Sequence, residues 1–228
     1  MSQVAENLEV VNRRLTAAAQ RAGRDPGEVR LVAVSKKVEV QRLRQAVAAG
    51  HRRFGENYVQ EAKGKIAALE PGLSWHLVGS LQTNKAREAA ALFDLIHGVD
   101  RLRLAQALDQ AAARLDKVQE VLIQVNLTGE ATKSGVPPAE AAELVREAAR
   151  LPHLRVAGLM TMPPWFADPE AARPYFQALR ELRDRLRRLP DLPLPELSMG
   201  MSGDYEVAVE EGATLVRVGT AIFGARPG

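Results

Sequence analysis

The sequence predicts an α/β fold in which a single (β/α)8 barrel follows one additional N-terminal helix. Short apolar segments of strand length alternate with longer segments of helical period, as in parallel sheets with crossover helices. No linker or low-complexity tract interrupts the alternation, so we expect one domain over 1–228. The candidate strands reach the number of a parallel barrel. They are 30–35, 52–54, 74–78, 94–97, 120–126, 154–159, 195–198 and 214–218.

The segments between these strands have the spacing of amphipathic helices. The first of them, 3–22, precedes every strand and is the additional helix. Pro138 and Pro152 lie where helices are expected to begin or end. A short turn is predicted after the last strand, at 220–223. The other predicted helices are 39–49, 57–69, 83–91, 101–115, 138–150, 170–188 and 204–211.

The composition excludes several classes of protein. The chain has no cysteine, which rules out disulfides, thiolate metal sites and a cysteine nucleophile and is compatible with the cytoplasm. No apolar run reaches the roughly 20 residues that span a bilayer, and the N-terminus lacks the pattern of a signal peptide, so we expect no membrane association. Charges of both signs are interspersed to a net +3, and aromatic residues make up 4%, which argues against a nucleic-acid partner.

A lysine follows the first predicted strand. Parallel barrels place their chemistry at the carboxyl ends of the strands, and side chains alternate between two faces along each strand. Val32, Val34 and Lys36 therefore share one face, which we predict to be the barrel interior, whereas Lys37 has the opposite parity. Desolvation at the mouth of an apolar barrel favours a neutral amine, which can condense with an aldehyde. The alternative is a strand-end lysine whose ammonium group only reaches water.

The loops after the last two predicted strands suit a phosphate group. Gly219 and Thr220 lie at a helical turn, where backbone N–H groups and a hydroxyl can bind an anion. Ser198, Met199 and Gly200 form the neighbouring loop, and barrels often bind phosphate between these two strands. The alternative is a tight turn that needs glycine only for its backbone angles.

Two further side chains are predicted to reach the same mouth. Arg217 shares a face with Leu215 of the last strand, and Asn126 shares a face with Gln124 of the fifth. Both would converge with Lys36 at the carboxyl end of the barrel.

Several ordered motifs, spread almost from end to end, are similar to those of one protein family. They are LVAVSK at 31–36, FGENYVQE at 54–61, WHLVGSLQTNK at 75–85, QVN at 124–126, KSG at 133–135, GLM at 158–160, SMGMS at 198–202 and VRVGTAIFG at 216–224. On these motifs the chain resembles the YggS/PROSC family of pyridoxal 5′-phosphate (PLP) homeostasis proteins.

The resemblance implies an alanine-racemase-like N-terminal barrel that binds PLP as an internal aldimine on Lys36. It implies that the loops after the seventh and eighth strands surround the phosphate, and that Arg217 faces the pyridine nitrogen. A charged arginine there disfavours protonation of the ring nitrogen and makes the ring a weaker electron sink. His76 and Asn126 are further candidates for the wall of the site. The implied cofactor-binding residues are Lys36, Asn57, Ser198, Met199, Gly200, Arg217, Gly219 and Thr220.

The resemblance also implies a function in PLP homeostasis, either storage of the cofactor or its delivery to apo forms of PLP-dependent enzymes. We therefore expect no catalytic residue and no metal. Racemases with a similar barrel add a C-terminal β domain that carries a tyrosine base. Here the sequence ends at Gly228, soon after the barrel is predicted to close, so we expect no such domain and a monomer. Tyr58, Tyr175 and Tyr205 lie on predicted helices or loops without the setting of a general base.

Two alternative functions stay open at this point. One is a stand-alone PLP-dependent amino-acid racemase that transfers protons within an open barrel. The other is a barrel that binds a phosphate ligand without PLP, in which Lys36 contributes only a charge.

Overall fold

Eight parallel β-strands close into a barrel within residues 2–130 and 132–225, the part of the chain that the computed structural model describes. Each strand pairs with the next one along the chain, and the eighth pairs with the first, which confirms the predicted barrel. The strands are β1 (Arg30–Val34), β2 (Arg53–Glu56), β3 (Ser74–Leu77), β4 (Leu95–Val99), β5 (Gln119–Gln124), β6 (Leu154–Met160), β7 (Glu196–Ser198) and β8 (Leu215–Val218).

Helices surround the barrel and connect its strands. Among the described helices, none combines the length and the hydropathy that a membrane-spanning segment needs. Short 3₁₀ turns occupy Pro26–Glu28, Thr83–Lys85 and Pro169–Ala172. The helices are α1 (Gln3–Arg21), α2 (Val40–Ala48), α3 (Val59–Ala68), α4 (Ala86–Leu92), α5 (Leu102–Ala113), α6 (Pro138–Ala149), α7 (Arg173–Leu186), α8 (Tyr205–Glu210) and α9 (Thr220–Phe223).

The additional helix α1 packs against α9, the helix that follows the last strand. Ser2 caps it, because its Oγ accepts a hydrogen bond from the Ala5 amide at 3.3 Å. Asn7 Nδ2 donates to the carbonyl oxygen of Ile222 in α9 at 2.8 Å, which joins the two termini. The buried face of α1 repeats at helical spacing, as an amphipathic helix requires. This face includes Val4, Leu8, Val11 and Leu15.

The sheet separates two apolar layers. Along β1, Val32 and Val34 point into the barrel, whereas Leu31 and Ala33 pack outwards against the helices. The alternation confirms the predicted parity of this strand. The interior layer consists of Val32, Val34, Val78, Leu95, Leu122, Ala157, Met160 and Leu215.

Two of the predicted helices begin with a 3₁₀ turn, and their α-helical part starts three residues later than expected. The segment predicted as 83–91 starts with the 3₁₀ turn Thr83–Lys85, and the segment predicted as 170–188 starts with Pro169–Ala172. In the second case Asp168 Oδ1 accepts from the Glu170 amide at 3.0 Å and starts the tighter turn. Proline is tolerated in the first turn of a helix, where its missing N–H is not needed, so α7 begins one residue before Pro174.

Candidate cofactor-binding site

A cavity of about 590 Å³ opens where the loops at the carboxyl ends of the strands meet. This volume lies in the range of small-molecule sites. Met162, Trp165 and Phe166, from the connection between β6 and α7, form its apolar wall. The side chains of its polar wall are Lys36, Asn57, Ser80, Ser202, Asp204, Arg217 and Thr220.

Lys36 enters this cavity from the end of β1. It is half-buried, and among the described residues that line the cavity it is the one lysine. Lys37 is exposed, as its opposite parity predicts, and its φ of +58° lies in the left-handed region. Side chains disfavour that region, so the surrounding contacts must hold this turn.

Behind the turn lies a group of side chains that we call the outer ion cluster: Ser35, Glu56 and Lys65, which are buried, and Glu61, which is partly exposed. Lys65 Nζ lies 2.7 Å from Glu56 Oε1 and 2.6 Å from Glu61 Oε1. Ser35 Oγ donates to the same Glu56 oxygen at 2.6 Å. Glu56 shares its strand face with Phe54, which packs in the outer layer, so the cluster lies between the barrel and α3.

Burial governs the electrostatics of the outer ion cluster. Glu56 is fully buried and Lys65 is 5% exposed. Desolvation raises the pKa of Glu56, and the hydrogen bonds from Lys65 and Ser35 oppose that rise. Glu56 Oε2 is buried and, among the described groups, has no hydrogen-bond partner. The carboxylate is thus held through one oxygen only.

Asn57 lines the cavity directly after β2, and a glycine fixes its backbone. A Cβ atom on Gly79 would lie 2.5 Å from the carbonyl oxygen of Asn57 and 2.8 Å from its Cα. Only glycine permits so close an approach between these two loops. Asn57 is therefore held at the rim beside Lys36.

Arg217 begins a buried series of hydrogen bonds that we call the interior polar chain: Arg217, Ser198, His97 and His76. Arg217 Nη1 donates to Ser198 Oγ at 2.5 Å, and Nη2 donates to the carbonyl oxygen of Thr161 at 2.9 Å. His97 Nδ1 lies 2.9 Å from Ser198 Oγ, and His97 Nε2 lies 3.0 Å from His76 Nδ1. The chain crosses the barrel interior beneath the cavity.

Both histidines of the interior polar chain are neutral at physiological pH. Desolvation lowers the pKa of His76 to about 4 and that of His97 well below its usual value. Arg217 can only donate, so Ser198 Oγ accepts from it, and the Ser198 hydroxyl donates to His97 Nδ1 when that nitrogen is the unprotonated one of the neutral ring. Burial lowers the pKa of Arg217 to about 10, so its guanidinium stays charged at neutral pH.

Ser202, Gly219 and Thr220 line the cavity together. Ser202 Oγ accepts from the amides of Gly219 and Ala221 at 3.3 Å each. Both distances are long for such bonds, and the Thr220 side chain is exposed to the cavity mouth. These amides and hydroxyls form a set of donors that suits an anion.

Met199 and Gly200 anchor the loop after β7. Met199 is fully buried and packs in the outer apolar layer. Gly200 has φ +90°, and a Cβ atom there would lie 2.6 Å from the Ala208 Cβ. The left-handed residue redirects the chain from β7 towards the rim. Asp204 closes the loop by accepting from the Met201 amide at 2.6 Å.

Two candidate wall residues lie elsewhere. Asn126 does not reach the cavity: its Nδ2 donates to the carbonyl oxygens of Glu130 and Lys133, at 2.9 and 3.2 Å. The expectation that it converges with Lys36 is therefore wrong, because it holds its own loop instead. His76 lies deeper, against His97 in the interior polar chain.

The tyrosines also lie away from the cavity wall. Tyr58 is 62% exposed, and Tyr175 packs against Phe166 with ring centroids 5.8 Å apart. Tyr205 is buried, which raises the pKa of its phenol. No tyrosine occurs among the described residues that line the cavity.

Sequence reasoning missed several neighbours of the cavity. Ser202 lies within the quoted SMGMS motif but was not singled out, although it is the serine of that motif that lines the cavity. Trp165 is 82% exposed at the rim, in a loop whose prolines predict no regular structure. Glu61 and Lys65 have the spacing of an ordinary surface pair on a helix, and only the fold brings Glu56 to them.

Comparison with known proteins identifies the family. Residues 6–227 match the family described as alanine racemase, N-terminal domain. The chain belongs to this family. The match includes all eight strands of the barrel and confirms the alanine-racemase-like fold that the motifs implied.

Two curated relatives of high identity carry the same name. The pyridoxal phosphate homeostasis protein of Aquifex aeolicus is 47% identical over 222 residues, which cover 97% of each chain. The protein of that name from Pseudomonas aeruginosa is 49% identical over 228 residues, 99% of this chain and 97% of that one. These relatives confirm the resemblance to PLP homeostasis proteins.

A solved structure of a family member is also similar over its full length. PipY of Synechococcus elongatus PCC7942, determined with PLP bound, is 40% identical and superposes with a TM-score of 0.85. The match covers 97% of this chain and all of PipY.

Proposed function

We propose that this protein binds PLP in the cavity, holds it covalently on Lys36 and serves PLP homeostasis by storing or delivering the cofactor. One observation carries the proposal. Closure of the barrel makes β1 and β8 neighbours, so Lys36 at the end of β1 shares a cavity with Arg217 and Thr220 at the end of β8. The names of the relatives and the PLP-bound PipY structure support the same function.

The donor set of the cavity fits the groups of PLP. When bound, PLP supplies an aldehyde whose carbon forms a C=N bond with a lysine amine, with loss of water. In this proposal, Lys36 provides the amine and Asn57 lies beside the ring. Arg217 keeps N–H groups beyond the two used by Ser198 and Thr161, and we assign one of them to the pyridine nitrogen.

The phosphate is assigned to the loops after β7 and β8. Ser202 and Thr220 provide hydroxyls and Gly219 a backbone amide, all of them on the cavity wall. The bonds within this set are long, so a phosphate oxygen would offer these donors a stronger, charged acceptor. Ser198 is fully buried and bonded to Arg217, and in this proposal it acts through that side chain.

We infer a carrier rather than an enzyme. The curated relatives are named as homeostasis proteins, and the described cavity wall includes neither tyrosine nor histidine. Apo forms of PLP-dependent enzymes are the proposed recipients. We place the exchange in the cytoplasm, which suits a cysteine-free chain, and propose that a monomer performs it.

Borohydride trapping tests the covalent assignment. The PLP-loaded protein is reduced and its peptides are mapped by mass spectrometry. We expect a pyridoxyl adduct on Lys36, its disappearance in Lys36→Ala, and its retention in Lys37→Ala, which removes the outward-facing neighbour. An adduct on another lysine, or none after incubation with PLP, contradicts the assignment.

One assay separates a carrier from a racemase, and a second separates delivery from storage. In deuterated water with L- or D-alanine, a carrier shows no α-proton exchange at enzyme-like rates, whereas a racemase exchanges and equilibrates both enantiomers. Transfer of PLP to an apo-enzyme is timed with and without a trap for free PLP. Transfer that resists the trap indicates delivery, and transfer that the trap abolishes indicates storage.

A further inference from the structure

Both peptide groups that flank Lys36 are hydrogen bonded to the outer ion cluster. The carbonyl oxygen of Ser35, in the peptide before Lys36, accepts from Lys65 Nζ at 2.5 Å. The amide of Lys37, in the peptide after Lys36, donates to Glu61 Oε1 at 2.5 Å. Lys65 Nζ also donates to that Glu61 oxygen. One ammonium–carboxylate pair on α3 therefore ties down the backbone on both sides of Lys36.

The ammonium group of Lys65 has no donor to spare. It has three N–H groups, and its three bonded acceptors are Glu56 Oε1, Glu61 Oε1 and the Ser35 carbonyl oxygen. Glu56 is anchored in turn by Ser35 Oγ, so the strand end contacts the cluster through both backbone and side chain. Such a saturated arrangement has one geometry rather than several.

The same saturation explains why Lys65 is not a second reactive amine. Its nitrogen is held as an ammonium between two carboxylates, and a protonated nitrogen has no electron pair for an aldehyde. Lys65 lies behind the wall of the cavity, whereas Lys36 lies on it. The two lysines thus have separate roles, one reactive and one structural.

We propose that Lys65, together with Glu56 and Glu61, positions Lys36 by fixing the left-handed turn at Lys37. In this way the cluster sets the rate at which Lys36 captures an aldehyde. The inference rests on the proposed PLP-binding function and adds to it the residues that place the amine. Lys65 touches neither ligand nor reacting atoms and is a positioning residue.

The primary test compares Lys65→Met with Lys117→Met. Lys117 is a matched control, since its partly buried Nζ also donates to a backbone carbonyl oxygen, that of Ala90, but far from Lys36 along the barrel. Each variant is mixed with PLP, and the adduct on Lys36 is quantified over time after borohydride quenching. We expect Lys65→Met to slow capture by about tenfold to a hundredfold, the effect of misplacing a reacting group by about 1 Å. Lys117→Met should capture PLP at the wild-type rate.

A second measurement needs no PLP. Hydrogen exchange of the Lys37 amide reports directly on its bond to Glu61. We expect faster exchange at this amide in Lys65→Met and in Glu61→Ala, and wild-type exchange in Lys117→Met. Glu61 is partly exposed, so Glu61→Ala keeps the test available if Lys65→Met does not fold. Glu61→Gln retains an acceptor oxygen and should restore most of the capture rate.

The outcomes separate this inference from the proposed function. Wild-type capture rates in both Lys65→Met and Glu61→Ala overturn the positioning role, whatever the exchange data show. Unchanged exchange at the Lys37 amide in both variants also overturns it. A wild-type protein that forms no adduct on Lys36 refutes the proposed function instead, and the exchange measurement then still decides whether the cluster holds the turn.

Discussion

Two regions hold the walls of the cavity, and they differ in how a buried cation is bonded. The outer ion cluster lies between the sheet and α3, and it matches a buried ammonium group with two carboxylates. The interior polar chain lies inside the barrel, and the hydrogen-bond acceptors of its one guanidinium are neutral. The first fixes a backbone turn, and the second fixes the head of a side chain. A turn needs acceptors and donors together, whereas a guanidinium needs acceptors alone.

The largest difference between the regions is expected in how much the free energy of unfolding falls when one side chain of each is replaced. Lys65→Met leaves Glu56 as a buried carboxylate without its cation, and we expect the free energy of unfolding to fall by about 3–5 kcal/mol. Ser198→Ala leaves neutral partners and a cation that keeps its bond to Thr161, so we expect a loss of about 1–3 kcal/mol. Urea unfolding of both variants measures the contrast. Equal losses of unfolding free energy in the two variants would show that the buried charges of the outer ion cluster contribute no additional stability.

Acid should act on the two regions in opposite directions. His76 has a pKa of about 4 in the folded protein against an ordinary value of 6.5, so the unfolded chain binds its proton first. The contribution of neutral His76 to the free energy of unfolding is complete above pH 6.5. It is lost as the pH falls towards 4, and the total loss is about 3 kcal/mol. His97 titrates in the same direction. Glu56, with its raised pKa, has the opposite sign and favours the folded state as the pH falls.

Unfolding free energies measured between pH 7 and 4.5 test this difference. His76→Phe should flatten the profile relative to wild type, because it removes one of the titrating groups. A profile of unchanged slope in that variant would mean that His76 is not neutral in the folded protein.

The two serines of the SMGMS motif should separate ligand binding from support. Ser202→Ala is expected to weaken the binding of PLP by about 1–3 kcal/mol. The binding of pyridoxal should stay nearly unchanged, because only PLP carries the phosphate. Thr220→Ala should behave in the same way. Ser198→Ala should weaken the binding of both ligands by similar amounts, because it removes a hydrogen bond that holds Arg217. Fluorescence titration with both ligands measures the discrimination, and a phosphate-specific loss in Ser198→Ala would instead support the earlier expectation for that residue.

The smallest effect is expected at the apolar wall. Trp165 is 82% exposed, so Trp165→Phe should change the unfolding free energy by no more than about 0.5 kcal/mol. Its position on the cavity wall should nevertheless make its fluorescence sensitive to PLP, unlike that of the buried Trp75. Quenching by PLP should therefore disappear in Trp165→Phe. Persistent quenching would place the ligand nearer to Trp75.

The fold could be predicted because each strand carries its own signal. In β1, alternation alone assigned Val32 and Val34 to the interior, and Lys36 followed from the same count. Helix starts were less well predicted. A 3₁₀ turn and an α-helix share residue preferences, and the difference at Pro169–Ala172 depends on the cap that Asp168 provides.

The site was only partly predictable from sequence. Parity cannot tell how deep a strand-end residue lies, and Ser198 is buried while Ser202, four residues later, reaches the cavity. The left-handed Gly200 between them changes the direction of the chain. Asn126 has the inward parity of Gln124, yet the strand ends before it and its amide turns into the following loop. The role of Ser198 at the phosphate stays a prediction.

The hydrogen bonds around Lys36 link the cavity to the surface of the molecule. The backbone of that lysine is attached to α3, and α3 is attached through Gln60 to Glu88 of α4, at 2.9 Å on the exposed side. This connection runs outside the cavity, through the backbone on either side of Lys36 and the side chains of α3. A shift of α3 would therefore displace the backbone of Lys36 from outside the cavity.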